Sequence, residues 1–128
     1  MVSTSRPCPC GLGEPFDRCC GRLHAGQRAA TAEQLMRSRY AAFAVGDADY
    51  LLATWHPSTR PAELDLDPQQ RWTGLEVLDR TGGGPFDAEG EVRFRARYRL
   101  HGKTGELTER SRFTRVDGQW LYVDGDHD

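Results

Sequence analysis

The chain has 128 residues, the size of one ordinary domain, and 38% of them are hydrophobic, so a core can form without covalent staples. A formal net charge of −2 does not favour a nucleic-acid partner. No apolar run approaches the roughly 18 residues of a membrane span, and Met1–Pro7 carries no apolar stretch of secretory type, so a cytoplasmic protein is expected.

The first element holds every cysteine of the chain: Cys8-Pro9-Cys10-Gly11-Leu12-Gly13, then Cys19-Cys20-Gly21. Four thiolates are a standard structural set for one tetrahedral Zn²⁺ ion. Gly11 and Gly13 supply the backbone freedom of a tight knuckle. Adjacent ligands need a turn or a single helical turn, since neighbours on a strand point apart. Phe16 is the expected apolar plug beneath the second pair. Two alternatives stand beside zinc. Structural disulfides need an oxidising compartment, and redox-active thiols suit a reducing one. Cytoplasmic clusters more often bind metal, which favours zinc.

This segment resembles the SEC-C motif, the zinc knuckle at the C-terminus of the translocase ATPase SecA. That motif runs CPCGSG, a short stretch with an aromatic, then Cys-His or Cys-Cys and Gly. Cys20 stands where SecA has histidine, Leu12 replaces a small polar residue, and Glu14–Arg18 is less basic. The resemblance implies one structural zinc ion on Cys8, Cys10, Cys19 and Cys20. By analogy with SecA it also implies a protein partner for the knuckle, a chaperone or the ribosome.

Thr31-Ala32-Glu33-Gln34 has the form of a capping box. Leu35, Met36, Tyr40 and Phe43 follow at helical spacing, and Gly46 stops the helix. Asp47 caps a second helix carrying Tyr50, Leu51 and Trp55 and ending before Pro57. The stretch 57–70 contains three prolines and is expected to be irregular. From Arg71 the period changes to two. Trp72–Leu78 is a strand. Val92, Phe94, Ala96, Tyr98 and Leu100 alternate with charged residues in a second. His101–Gly105 connects it to a third over Glu106–Val116. Asp117-Gly118 is a type I′ hairpin signal leading into a fourth over Gln119–Val123. Helices followed by an antiparallel meander give an α+β class.

Several blocks resemble the YchJ family: Leu35–Phe43, Thr54–Pro61, Trp72–Leu75, Glu109–Phe113 and Asp117–Gly125. The resemblance runs from Cys8 to Gly125. It implies a SEC-C knuckle over residues 1–25 joined to a nuclear-transport-factor-2-like domain over 26–128. Such a domain is a cystatin-like cone, with helices packed on a curved antiparallel sheet around a pocket. Some longer members carry a second, C-terminal knuckle, and no cysteine follows Cys20 here.

Registering the last hairpin on Asp117-Gly118 pairs Arg115 with Trp120, Phe113 with Tyr122 and Ser111 with Asp124. Glu109, Ser111, Phe113, Arg115, Trp120, Tyr122 and Asp124 then share one face. With Tyr40, Trp55 and His56 from the helical half, Glu109, Ser111, Phe113, Trp120, Tyr122 and Asp124 are the candidate pocket residues. A half-buried sheet with a satisfied ion pair fits the same pattern and is the favoured alternative.

His56 has the chemistry of a general base and Arg60 that of an anion clamp. No nucleophile, base and orienter stand together, so catalytic residues are not assignable and an enzyme is the less favoured reading. His24 lies close to Cys20 as a possible substitute ligand. Arg93, Arg95, Arg97 and Arg99 form a row that Arg110 and Arg112 extend. Glu76, Glu91 and Glu106 balance it, which favours a solvated outer face over a binding patch. Three functions follow: a zinc-dependent interaction module, a small-molecule pocket protein or enzyme, and a thiol redox or metal-handling protein. The first is favoured.

Overall fold

The structure, a computed structural model, describes residues 6–127. Residues 1–5, most of the stretch read above as lacking an apolar leader, lie outside the described residues. A 3₁₀ turn over Phe16–Arg18 precedes three helices: α1 (Cys20–His24), α2 (Ala32–Val45) and α3 (Ala48–Ala53). Four strands follow, β1 (Arg71–Gly82), β2 (Glu89–Leu100), β3 (Lys103–Val116) and β4 (Gln119–His127). They form one antiparallel sheet in chain order, and the helices pack on its inner face. No helix is long and apolar enough to cross a membrane among the described residues.

Helix α2 starts where its cap dictates. The Thr31 hydroxyl accepts from the Gln34 N–H at 3.1 Å, and the Gln34 side chain accepts from the Ala30 N–H. Gly46, with φ of 81°, ends it. Leu35 and Met36 join Val92, Phe113 and Trp120 in the main core. The helix is buried on more than this one stripe, because the cysteine knuckle covers a second face at Ala41 and α3 covers Ser38 and Arg39.

Helix α3 stops at Ala53, two residues before the Trp55 that periodicity had placed inside it. Trp55 instead bridges in parallel to Tyr122 of β4. The Tyr122 N–H donates to the Thr54 carbonyl, and the His56 N–H donates to the Tyr122 carbonyl, both at 2.8 Å. Two sheet-type bonds outcompete one more helical turn. Arg39 further commits Leu51 and Thr54 to closing the helix there.

The second hairpin is tighter than the expected His101–Gly105 loop. His101 and Gly102 take φ of 52° and 77° and form a two-residue turn, so β3 begins at Lys103. The last hairpin turns at Asp117 and Gly118, with φ of 52° and 77°, as its sequence specifies.

One register expectation is corrected. Arg115 faces Trp120 and Phe113 faces Tyr122, but Ser111 faces Gly125 and not Asp124. An extra residue, Val123, is bulged out of β4 between Tyr122 and Asp124. The slip moves Asp124 to the outer face, where its carboxylate accepts from Arg112 Nε at 2.6 Å. Without it, Asp124 would stand on the inner face beside the buried Glu109 carboxylate, an unfavourable like-charge pair.

The outer face is the ion-paired surface that the alternating arginines suggested. Arg95 and Arg97 both reach Glu76 and Glu106, Arg110 reaches Glu91, and Arg112 reaches Asp124 and Asp126. Exposed pairs of this kind contribute little stability each.

Candidate functional site

The four thiols converge. Their sulfur atoms all lie within 4.8 Å of one another, and all four cysteines are buried. The backbone brings them there through a short loop. The Cys8 N–H donates to the Glu14 carbonyl, the Gly11 N–H closes a turn on the Cys8 carbonyl, and Pro7 bridges to Pro15. Cys19 closes the 3₁₀ turn, and Cys20 opens α1, so two adjacent residues point at one centre. Phe16 packs against the cluster as its apolar floor. Gly21 is required there, since a Cβ would sit 2.7 Å from the Phe16 carbonyl oxygen.

A tetrahedron of about 2.3 Å metal–sulfur bonds has sulfur–sulfur edges of about 3.8 Å. Cys10 Sγ and Cys19 Sγ are 3.6 Å apart, so the set is placed to hold one metal ion. Its electrostatics favour the same conclusion. A hydrogen bond from Cys20 stabilises the Cys10 thiolate and brings its pKa down to about 5. Burial pushes Cys19 up to about 12. Cys20 is held protonated, chiefly as the donor to Cys10, and by burial. Without a cation, one thiolate crowds out the others in this buried space. A divalent ion held by the four sulfurs would relieve that conflict, because each thiol that ligates it gives up its proton. His24 is not in the group, its Nε2 lying 2.8 Å from the Ser38 carbonyl oxygen and its Nδ1 4.0 Å from Asp47.

The knuckle packs onto the helical layer. Arg37 Nη1 donates to the Cys10 carbonyl at 2.9 Å, and its Nε donates to Glu33 at 2.9 Å. Glu33 also pairs with Arg80 of β1. Ala41 and Leu75 complete the apolar contact. The cysteine cluster is thereby tied to the helix that forms the wall of a cavity.

That cavity, of about 280 Å³, lies between α2 and the inner face of the sheet. Met36, Tyr40, Phe43, Trp72, Phe94, Ala96, Leu107 and Phe113 make most of its wall apolar. Part of the sheet's inner face is therefore unfilled, beside the packed core of Val92, Phe113 and Trp120. Two polar stations interrupt it. At one, Glu109, only 8% exposed, accepts from Ser111 Oγ at 2.6 Å and from the Tyr122 hydroxyl at 3.2 Å, and His127 Nε2 is 3.4 Å away. Burial, then the Glu109 charge, pushes the Tyr122 phenol up, so it stays a donor. At the other, Arg39 is 6% exposed. Its Nη1 donates to the Leu51 carbonyl and the Thr54 hydroxyl, both at 2.7 Å, and its guanidinium stacks on Trp55 and Tyr122. Burial lowers its pKa to about 10, so it is still a cation at neutral pH.

Of the residues singled out in the sequence, Tyr40, Trp55, Glu109, Ser111, Phe113 and Tyr122 line this cavity. Four lie elsewhere. Trp120 is in the main core, where its indole N–H donates to the Ala30 carbonyl at 3.3 Å. His56 sits on the loop after α3, its Nδ1 accepting from the Ser58 N–H at 3.1 Å. Asp124 is on the outer face of the sheet for the reason given above, and Arg60 is exposed. Sequence reading missed Arg39, Gly125 and His127. Arg39 had a signal: it falls four residues after Leu35 and four before Phe43, on the apolar stripe itself. Gly125 had none. A Cβ there would run into the Glu109 carboxylate, so its absence makes room for that side chain.

Residues 31–125 match the middle NTF2-like domain of YchJ. A UPF0225 protein of Streptomyces coelicolor is 63% identical over 121 residues, 94% of each chain. A UPF0225 protein of Xanthomonas campestris is 52% identical over 92% of each. The solution structure of a SEC-C motif-containing protein from Rhodopseudomonas palustris superposes with a TM-score of 0.81 at 36% identity, covering 94% of this chain and 98% of that one. The crystal structure of another from Psychrobacter arcticus gives 0.78 at 27% identity, covering 97% and 84%. A cysteine knuckle packed on three helices and a four-stranded sheet, with these relatives along its length, establishes that the chain belongs to the YchJ (UPF0225) family.

Proposed function

We propose that this protein binds a small, mainly apolar molecule in the cavity between α2 and the sheet, and that one structural zinc ion on Cys8, Cys10, Cys19 and Cys20 holds α2 in place. The observation that carries this reading is an apolar cavity of about 280 Å³ into which buried polar groups of both charges are set. Concave apolar sites with a few fixed polar groups are the usual form of small-molecule sites. The zinc assignment rests on the thiolate set and its spacing, and on the SEC-C motif of the solved relatives. The knuckle bears on the cavity because Arg37 and Ala41, which hold it, share α2 with Met36, Arg39, Tyr40 and Phe43 of the wall.

A panel of small aromatic compounds screened by protein NMR tests the pocket. Binding members are expected to shift the methyls of Met36 and Leu107, which line the cavity. Ala96→Leu, which fills the cavity from a strand position 1% exposed, is expected to abolish those shifts while the fold persists. Shifts that survive this substitution, or a panel with no binder at all, would remove the proposal.

A second reading has its own observation. Leu12 is 56% exposed at the tip of the knuckle, between Gly11 and Gly13 and near the side chains of Arg18 and Arg22. An exposed apolar residue at such a tip suits docking to a protein or ribosomal partner. Leu12→Ser leaves the four thiols untouched, so it is expected to cut partner capture several-fold at unchanged zinc content. Equal capture by the variant and the parent protein would dismiss the docking role.

A further inference from the structure

Resting on the pocket reading above, we infer that the cavity's ligand is a small aromatic carboxylic acid, with its carboxylate held by Arg39 and Trp55. The starting point is a buried cation without a bonded anion. Arg39 is a buried cation whose two hydrogen bonds go to neutral acceptors, the Leu51 carbonyl and the Thr54 hydroxyl. Among the described residues no carboxylate forms an ion pair with it; the Glu109 charge favours the cation through space, without a bond between them. Buried cations are ordinarily paired, because an unpaired one loses its hydration without replacement.

The second observation is independent of charge. The Trp55 indole Nε1 is buried and has no hydrogen-bond partner. Orphaned buried donors are rare in native proteins and each is destabilising. Trp55 belongs to the same wall, and the Arg39 guanidinium carbon lies 5.1 Å from its ring centroid. One part of the cavity wall thus gathers a cation with no carboxylate bonded to it and a ring with an unused donor. A carboxylate, with two acceptor oxygens and one negative charge, answers both.

The rest of the ligand follows from the rest of the wall. Phe43, Trp72, Phe94 and Leu107 offer aromatic and aliphatic surface with no other charge. An apolar cavity of about 150 Å³ takes one benzene ring, so about 280 Å³ takes a body of one or two fused rings. Glu109 sets the orientation. Its oxygens are already engaged by Ser111 and Tyr122 and lie beside His127. It repels a second carboxylate and leaves the Arg39 end as the anion's place. An amine would meet Arg39 as a like charge, and a neutral molecule would leave it without a bonded anion.

Three probes of one shape test the inference on the zinc-loaded full chain: 2-naphthoate, 2-naphthalenemethanol and 2-naphthylmethylamine, titrated by calorimetry with NMR detection of the Ala96 methyl. The carboxylate is expected to bind at least about tenfold more tightly than the other two, the range of one charge-assisted hydrogen bond. Trp55→Phe, which keeps a ring and removes the N–H, is expected to weaken naphthoate several-fold. Arg39→Gln, if folded, is expected to abolish the preference for the acid. The alcohol or amine binding as tightly as the acid would overturn the inference and leave the pocket reading standing, as would unchanged naphthoate affinity in Trp55→Phe. No binding by any of the three, with no Ala96 shift, would overturn the inference and the pocket reading together.

Discussion

Replacing Cys10 by Ser is expected to abolish stoichiometric zinc binding and to unfold the knuckle. Cys10 has no exposed surface and its sulfur lies 3.6 Å from that of Cys19, so no water can take its place without opening the cluster. The parent protein should carry one zinc per chain with all four thiols masked against a thiol reagent. A ligand held at 100 to 1,000 times its Kd stabilises a fold by about 3–4 kcal/mol, which corresponds to roughly 10–20 °C in Tm for a chain of this size. Chelation of the parent protein should lower Tm by that amount, and the variant should start from the lower value. Acid should release the metal too, because every thiolate that takes up a proton leaves the coordination set. Elemental analysis, thiol titration and thermal unfolding measure all of this. A purified chain with no metal, four freely reactive thiols and a Tm indifferent to chelator would transfer the cluster to thiol redox chemistry.

Arg39→Ala is expected to be the most destabilising substitution of any charged residue in the chain, at about 3–5 kcal/mol. The side chain makes two hydrogen bonds to the end of α3, and each bond to a charged donor contributes about 1.5–3 kcal/mol. Its truncation also enlarges the cavity beneath Trp55 and Tyr122 and leaves the Leu51 carbonyl without this donor. Arg39→Lys should recover little, since an ammonium does not stack on two rings as a planar guanidinium does. Arg97→Ala, on the outer face between Glu76 and Glu106, is the control and should lie within about 0.5 kcal/mol of the parent protein. Urea denaturation of the zinc-loaded proteins separates the two cases. An Arg39→Ala variant within about 1 kcal/mol of the parent would show that the guanidinium is not an anchor of the helical layer.

The contrast between Arg39 and Arg97 also marks how far the sequence is legible. Both are arginines beside aromatic neighbours, and composition does not distinguish them. Arg97 alternates with inward apolar residues on β2, so period two alone puts it outside. Arg39 sits on the apolar stripe of α2, where helical periodicity marks it as inward, yet its charge invites the opposite assignment. Trp55 was misplaced for a related reason. Its helical spacing from Leu51 is real, but two hydrogen bonds between the Thr54–His56 backbone and Tyr122 end the helix first.

What sequence alone settles here is whatever a few neighbouring residues decide among themselves. The thiol cluster, the Thr31 and Asp47 caps, the Asp117-Gly118 turn and the alternation of β2 are all of this kind. Each rests on a local spacing or a backbone preference, which survives in any surroundings. The bulge at Val123 is of the other kind. It removes Asp124 from the inner face, brings Gly125 opposite Ser111 and so leaves Glu109 the space it occupies. No neighbouring residue demands it. It follows from packing one strand against a buried carboxylate, and that constraint exists only once β3, β4 and α2 have met.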